Sequence, residues 1–378
     1  MSGCDCSATT APEQQDQCCC GPAAKTNLRY HSIPSIGEIV TPVGTFPVVS
    51  TRWSWRDYCG SLSVRFGYGR MDYAIAPGVY AIGKPDATSP VLVSANYKLS
   101  FDVLRGSLTE LDCWILVIDT KGVNVWCAAG KGTFGTSEII RMVKESELAH
   151  VVSHRELILP QLGAPGVTAH LVEKHTGFKA IYGPVRAGDI HAFLANGRIA
   201  TPRMRLVTFG LIDRLTCSLM EITEAAKMGA PISLALWLLL SFGPAGFQLA
   251  YGWHRAAFVV LGLWVAILAG SLLTAALLPY LPGRMFSLKG GCAGAVSLTA
   301  FSLLYARHAR PPVALVPALS LILLGTALSS FIAMNFTGGT PFTSLSGVKK
   351  EITRSLPFII GGAALSGFLQ ILCLLHII

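Results

Sequence analysis

The residues best equipped for chemistry sit in one run, Asn124-Val125-Trp126-Cys127-Ala128-Ala129-Gly130-Lys131-Gly132-Thr133-Phe134-Gly135-Thr136. It offers a thiol among small residues, a lysine between two glycines, and a Gly-x-Gly-x-x-Gly spacing. Three chemistries compete for it. The glycine spacing formally matches a dinucleotide fingerprint. That fingerprint turns directly off a strand, with an acidic residue about 20 positions later closing the next strand. Here Gly130 comes eleven positions after Asp119, and Glu156 precedes a strand instead of ending one. A phosphate loop would need Gly five positions before Gly130 and Ser or Thr after Lys131; Val125 and Gly132 stand there, so the pattern fails. The third reading is a metal ligand. A thiolate at Cys127 could hold a soft metal. Ala128, Ala129 and Gly130 would let a large flat group approach the backbone. A buried, inert thiol is the plain alternative.

The elements that must position this run are legible around it. Pro90–Ser94 and Cys113–Asp119 are continuous apolar runs, as buried strands require. Tyr97–Leu108 reads as a helix between them, and Ser137–Val143 opens another, with Glu138 in its first turn. Leu157–Leu159 and Phe178–Tyr182 read as short strands, Val167–Lys174 and Asp189–Asn196 as short helices. Alternating strands and helices predict a Rossmann-like α/β domain with a mainly parallel sheet. Its ligands belong at the carboxyl ends of the strands. On that rule Ser94 and the loops Pro160–Gly166 and Gly183–Asp189 join the candidate site. Residues 30–85, rich in Pro, Gly and aromatics, read as an irregular or β-rich lead-in. The domain therefore covers 30–225, with its core at about 85–225.

The rest of the chain is different in kind. Of 378 residues, 52% are hydrophobic and 13% charged, against about 25% charged in ordinary soluble proteins. The mean hydropathy of +0.52 excludes both a wholly soluble enzyme and a disordered chain. Residues 230–378 carry eight Lys or Arg and one acidic residue. A spanning helix needs about 20 apolar residues, and five stretches qualify, at 230–251, 256–279, 290–306, 313–334 and 356–376. The sequence thus predicts an all-α membrane domain over 226–378. Lys227, Arg284, Lys289, Lys349, Lys350 and Arg354 fall on one side of these spans, and Arg255, Arg307 and Arg310 on the other. The excess places the α/β domain on the cytoplasmic side of the inner membrane, with the C-terminus outside. The net charge of +9 then reflects membrane topology and not a nucleic-acid surface. The five stretches hold no charged residue, which favours an anchor over a transporter.

Cys4, Cys6, Cys18, Cys19 and Cys20 crowd a polar tail over residues 1–29. They could bind a soft metal or belong to a tail without a defined site. The start has no apolar run of a signal peptide, so the thiols of the first half read as cytosolic and reduced.

The run NVWCAAGKGTFGT closely resembles the motif of the HgcA family, the corrinoid proteins of microbial mercury methylation. The resemblance extends through LPQLGAPGVTAH (159–170) and YGPVRAGDI (182–190). The corrinoid iron–sulfur proteins of acetyl-CoA synthesis share related segments. An α/β domain followed by membrane helices matches the mercury family as well.

The resemblance implies a cobalamin-type corrinoid with Cys127 as the lower ligand of its cobalt, on a short helix starting near Asn124. A methyl group would pass from methyl-Co(III) to Hg(II), forming methylmercury. A thiolate trans to the methyl would push electron density toward it, the polarity that an electrophile such as Hg(II) needs. Asn124, Val125, Trp126, Ala128, Ala129, Gly130, Lys131 and Thr133 would line the cofactor. Ser94, Gly163, Gly166, Gly183 and Arg186 would flank it. The iron–sulfur carriers hold a four-cysteine cluster motif, which the tail cysteines here do not reproduce. Electrons would then come from a ferredoxin-like partner with two [4Fe–4S] clusters. A methyltransferase would supply the methyl group, Hg(II) would arrive as a thiolate complex, and lipid would surround the helices. Two alternatives stand beside this reading. One is a membrane-tethered corrinoid carrier serving another metalloprotein. The other is a membrane transport protein with a regulatory α/β domain.

Overall fold

The computed structural model describes residues 29–243, 246–308, 314–340, 343 and 345–375. The five tail cysteines lie outside the described residues. The chain divides into two compact units. One takes the residues up to Arg52 together with Met71–Arg205, and the other takes Trp53–Arg70 together with everything from Leu206. The division therefore falls near residue 205 and not 225, and helix α1 (Trp55–Arg65) groups with the second unit.

The first unit is built on a seven-stranded sheet. Its strands are β1 (Ser35–Thr41), β2 (Gly44–Val49), β3 (Gly78–Ile82), β4 (Val91–Ala95), β5 (Cys113–Ile118), β6 (Glu156–Leu159) and β7 (Lys179–Tyr182), in the order β1-β2-β3-β5-β4-β6-β7. β5, β4, β6 and β7 run parallel to one another, as the alternating pattern predicts. The lead-in is more regular than expected. β1 and β2 form a hairpin, β2 runs parallel to β3, and β3 adds antiparallel to β5.

Every residue of β4 and β5 is buried, because helices cover both faces; this is why these strands read as unbroken apolar runs. Alternation sends their side chains to opposite faces. Val91, Val93, Trp114 and Leu116 pack on one face with Phe134, Ile139 and Met142. Leu92, Cys113, Ile115 and Val117 pack on the other with Phe101, Leu108 and Phe193. The connecting helices are α2 (Lys98–Gly106), α3 (Val125–Gly130), α4 (Thr136–Glu145), α5 (Leu148–Val151), α6 (Ala169–Thr176) and α7 (Ile190–Ala195).

The second unit contains α8 (Leu211–Leu240), α9 (Leu249–Leu277, with a π-helical stretch at Ala269–Leu273), α10 (Phe286–His308), α11 (Leu315–Asn335) and α12 (Leu345–Leu374). Among the described helices, four are long and apolar enough to cross a membrane: α9 to α12. The expected first span, 230–251, is not one helix. α8 stops at Leu240, the two-residue strands Phe242–Gly243 and Gly246–Phe247 pair antiparallel, and α9 starts at Leu249. Gly246, at φ +92°, supplies a backbone turn that hydropathy does not register. α8 instead begins far earlier, where Gly210 N–H donates to Asp213 Oδ2 at 3.0 Å. α9 takes in Arg255 ahead of its expected start, and α12 takes in Lys349 to Arg354. Glu351 is buried there and accepts the Ser287 N–H at 2.7 Å. The glycines of α10 serve close packing: a Cβ on Gly290 would stand 2.2 Å from Ala333 Cβ.

Candidate functional site

The parallel strands set the location of the site. β4 lies between β5 and β6, so the chain winds away from it in both directions. The crevice above such a switch point is where open α/β sheets bind ligands. The segment after β5 carries α3, and the segment after β6 carries a 3₁₀ turn over Gln161–Gly166. The two pack against each other.

α3 is short, and its start is fixed by a side chain. Asn124 holds an extended backbone conformation, and its Oδ1 accepts the Cys127 N–H at 2.9 Å. That bond satisfies one of the amides every helix leaves open at its first turn. Ala128 and Ala129 face inward and are buried. Trp126 is 49% exposed and Cys127 is part-buried. A Cβ on Gly130 would meet nothing within 4 Å. Along its outer side α3 therefore presents an indole, a thiol and a bare stretch of backbone. Val125 packs at the edge of the core. Beyond α3, Lys131 N–H donates to Cys127 O at 3.0 Å and Phe134 N–H to Ala128 O at 3.1 Å. Gly132, at φ +77°, lets the chain fold back between them. Thr133 Oγ1 lies 3.5 Å from Ala128 O, a weak contact.

The Gln161–Gly166 turn is pressed onto this segment. A Cβ on Gly166 would stand 2.2 Å from Phe134 O and 3.1 Å from Ala129 Cα, and one on Gly163 would strike the Phe134 ring. Gly163 and Gly166 are thus explained by contact with the cysteine-bearing segment. Gln161 Oε1 is buried and has no hydrogen-bond partner among the described residues.

Other expected positions fall elsewhere. Ser94 is buried within β4, and its hydroxyl donates to Ala95 O at 3.3 Å. Gly183 follows the edge strand β7, and its N–H donates to Leu159 O at 2.8 Å. Arg186 is exposed and precedes the Ala187–Asp189 turn, which packs against α2. His154 Nε2 is within 2.9 Å of Ser89 O. No group of three or more His, Cys, Asp or Glu able to hold a metal occurs among the described residues.

The polar group at the end of β4 is Asn96, which sequence reasoning missed. It is fully buried. Its Nδ2 donates to Asp119 Oδ1 at 3.0 Å, and its Oδ1 accepts from Thr120 N at 3.1 Å, Thr120 Oγ1 at 2.9 Å and Gly122 N at 3.0 Å. Asp119 N–H in turn donates to Glu138 Oε1 at 2.9 Å. This network joins the carboxyl ends of β4 and β5 to α4 and holds the loop that leads into α3. Burial pushes the Asp119 carboxyl up, but the hydrogen bonds and charge of Lys121 outweigh it and hold it below the usual range. An Asn directly after a buried strand was the available signal. A second missed cluster is Asp102 with Lys98 and Arg105. Asp102 contacts Lys98 Nζ at 2.6 Å and Arg105 Nε at 2.8 Å, all of them buried. Arg105 Nη1 also donates to Ser50 O at 2.6 Å.

Comparison with known proteins places the similarity on this unit. Residues 69–194 match the family model described as CO dehydrogenase/acetyl-CoA synthase delta subunit. The chain is 34% identical over 169 residues to the acetyl-CoA decarbonylase/synthase complex subunit gamma of Methanopyrus kandleri, covering 44% of this chain and 34% of that one. It is 34% identical over 129 residues to the same subunit of Methanocaldococcus jannaschii, covering 34% and 26%. It is 32% identical over 114 residues to the corrinoid/iron-sulfur protein large subunit of Moorella thermoacetica, covering 30% and 25%. The chain thus spans about a quarter to a third of the length of these relatives.

Proposed function

We propose that the first unit binds a corrinoid over α3, with Cys127 as the lower ligand of its cobalt, and that the chain is a membrane-anchored methyltransferase whose acceptor is Hg(II). The observation that carries this reading is the thiol of Cys127, part-exposed on a capped helix beside the bare backbone of Gly130, at the carboxyl ends of the parallel strands. The residues present fit a corrinoid. The open space at Gly130 admits a flat macrocycle, and the unpartnered Gln161 Oε1 can accept from a peripheral amide. A corrinoid bound there would supply a cobalt centre able to carry a methyl group.

The chain's own residues do the rest. Asn124 fixes the first turn of α3 and so the direction of the Cys127 side chain. A thiolate at Cys127 is a strong donor to the metal it holds, which suits an electron-poor acceptor such as Hg(II). Trp126, half exposed beside the thiol, offers apolar area to the macrocycle, and Lys131, one helical turn on, is placed for a polar group of the cofactor's rim. The finer assignment to mercury rests on the resemblance of NVWCAAGKGTFGT to the HgcA family. Helices α9 to α12 would anchor the chain in the inner membrane, with the site on the cytoplasmic side. Reduction would come from a ferredoxin-like protein with two [4Fe–4S] clusters, and the methyl group from a separate methyltransferase.

The similarity of residues 69–194 to acetyl-CoA synthase subunits favours a second reading, a tethered methyl carrier for another metalloprotein. Cells with and without this gene, grown with Hg(II), separate the two. Methylmercury that depends on the gene supports the first reading. Corrinoid loading without any methylmercury supports the second.

A further inference from the structure

Helix α1 turns two polar side chains inward and several large apolar ones outward. Asp57, Ser61 and Val64, spaced by four and three, are buried. Trp55, Tyr58 and Leu62, spaced by three and four, form the opposite stripe and are 79%, 58% and 53% exposed. The inward polar groups are satisfied. Asp57 Oδ2 accepts the Ser54 N–H at 2.9 Å in a reciprocal cap, and Ser61 Oγ accepts from Arg65 Nε at 3.2 Å. The outward stripe is apolar and aromatic, with Arg56 at one edge and Arg65 at the other.

The surroundings of α1 indicate what covers this stripe. α1 packs against α8. The chain after α1 is tied to α8 where its charged part ends. Arg70 Nη1 lies 3.7 Å from Met220 Sδ, and Lys227 Nζ lies 5.7 Å from the Tyr68 ring centroid. From Met228 the sequence is uncharged as far as Arg255. Exposed Trp and Tyr flanked by Arg, at the level where charged chain gives way to apolar chain, are the composition of a membrane–water interface.

We propose that α1 is an interfacial membrane helix. Its Trp55, Tyr58 and Leu62 stripe lies at the headgroup–acyl boundary of a phospholipid leaflet, and Arg56 reaches the phosphates. The proposal rests on the reading of α9 to α12 as membrane helices.

The test is depth-dependent quenching in the full chain reconstituted into phosphatidylcholine–phosphatidylglycerol vesicles. The emission of Trp55 is taken as wild type minus Trp55→Phe. That of Trp264, inside α9, is taken in the same way with Trp264→Phe. Most Trp55 emission should be lost to lipid brominated near the headgroup, and most Trp264 emission to lipid brominated near the bilayer centre. If Trp264 is quenched by lipid while Trp55 is quenched only by aqueous iodide, the stripe faces water or a protein partner, and the proposal is overturned. If neither is quenched by lipid, the membrane reading fails and the proposal fails with it.

Discussion

Asn124 Oδ1 and the Cys127 backbone N–H are 2.9 Å apart. The residue that starts α3 thereby also fixes the residue that carries its thiol. Replacing Asn124 with Ala should cost about 1 kcal/mol, the usual worth of such a cap. Asn124→Asp should recover most of it. Denaturant unfolding of the full chain in detergent measures the loss. Corrinoid affinity should fall in Asn124→Ala and recover in Asn124→Asp, because the cap orients the segment that carries the thiol.

Gly166 touches the same segment from the other side. A Cβ there would stand 2.2 Å from Phe134 O, a backbone atom that cannot swing aside. Gly166→Ala should destabilise the first unit by about 1–3 kcal/mol, the range for overpacking. Gly130→Ala, where the new Cβ meets open space, should leave stability nearly unchanged and lower corrinoid affinity if the macrocycle lies over this face. A Gly130→Ala chain with undiminished corrinoid uptake would move the cofactor off α3.

The buried Asp102 is ion-paired with both Lys98 and Arg105. Asp102→Ala leaves two buried cations without that carboxylate, and should cost about 3–5 kcal/mol. Thermal unfolding would show it. A loss below about 1 kcal/mol would mean that water reaches the cluster in the folded chain.

Much of this arrangement was legible in sequence, for physical reasons. β4 and β5 are buried on both faces, so they appear as uninterrupted apolar runs. The short helix at Asn124 shows itself through a capping residue ahead of small ones. The rest depends on contacts distant in sequence. β3 joins antiparallel beside β5, a pairing that no local pattern encodes. The buried Arg105 looks like any surface arginine until its acceptors at Ser50 and Asp102 come together. Ser94, expected at a ligand-facing strand end, is buried there, and so is Asn96 two residues on, whose role shows only in its hydrogen bonds to Asp119, Thr120 and Gly122. The break between α8 and α9 falls inside an uncharged stretch, where hydropathy is blind to a turn.

The two cysteines of the site region should differ sharply toward an alkylating reagent. Burial, with a smaller contribution from Asp112, pushes the Cys113 thiol up to about 12. In the folded chain near pH 8, Cys113 should stay unmodified while Cys127 reacts. Since the folded value lies above the unfolded one, the stability contributed by Cys113 is complete below the ordinary thiol range. It is lost as the pH rises toward 12. Peptide mapping after brief alkylation at pH 8 and again in denaturant measures the contrast. Equal labelling of both in the folded chain would contradict it.

The central claim is that the thiolate of Cys127 holds cobalt and that this ligation permits methyl transfer to Hg(II). The most direct measurement compares full-length wild type, Cys127→Ala and Cys113→Ala, each loaded with corrinoid, by absorption spectrum and by methylmercury formation. The account expects Cys127→Ala to lose the sulfur-ligated spectrum and to make methylmercury only at background. Cys113→Ala should keep both, at a stability cost of about 1 kcal/mol. A Cys127→Ala chain with the wild-type spectrum and the wild-type rate would contradict the account.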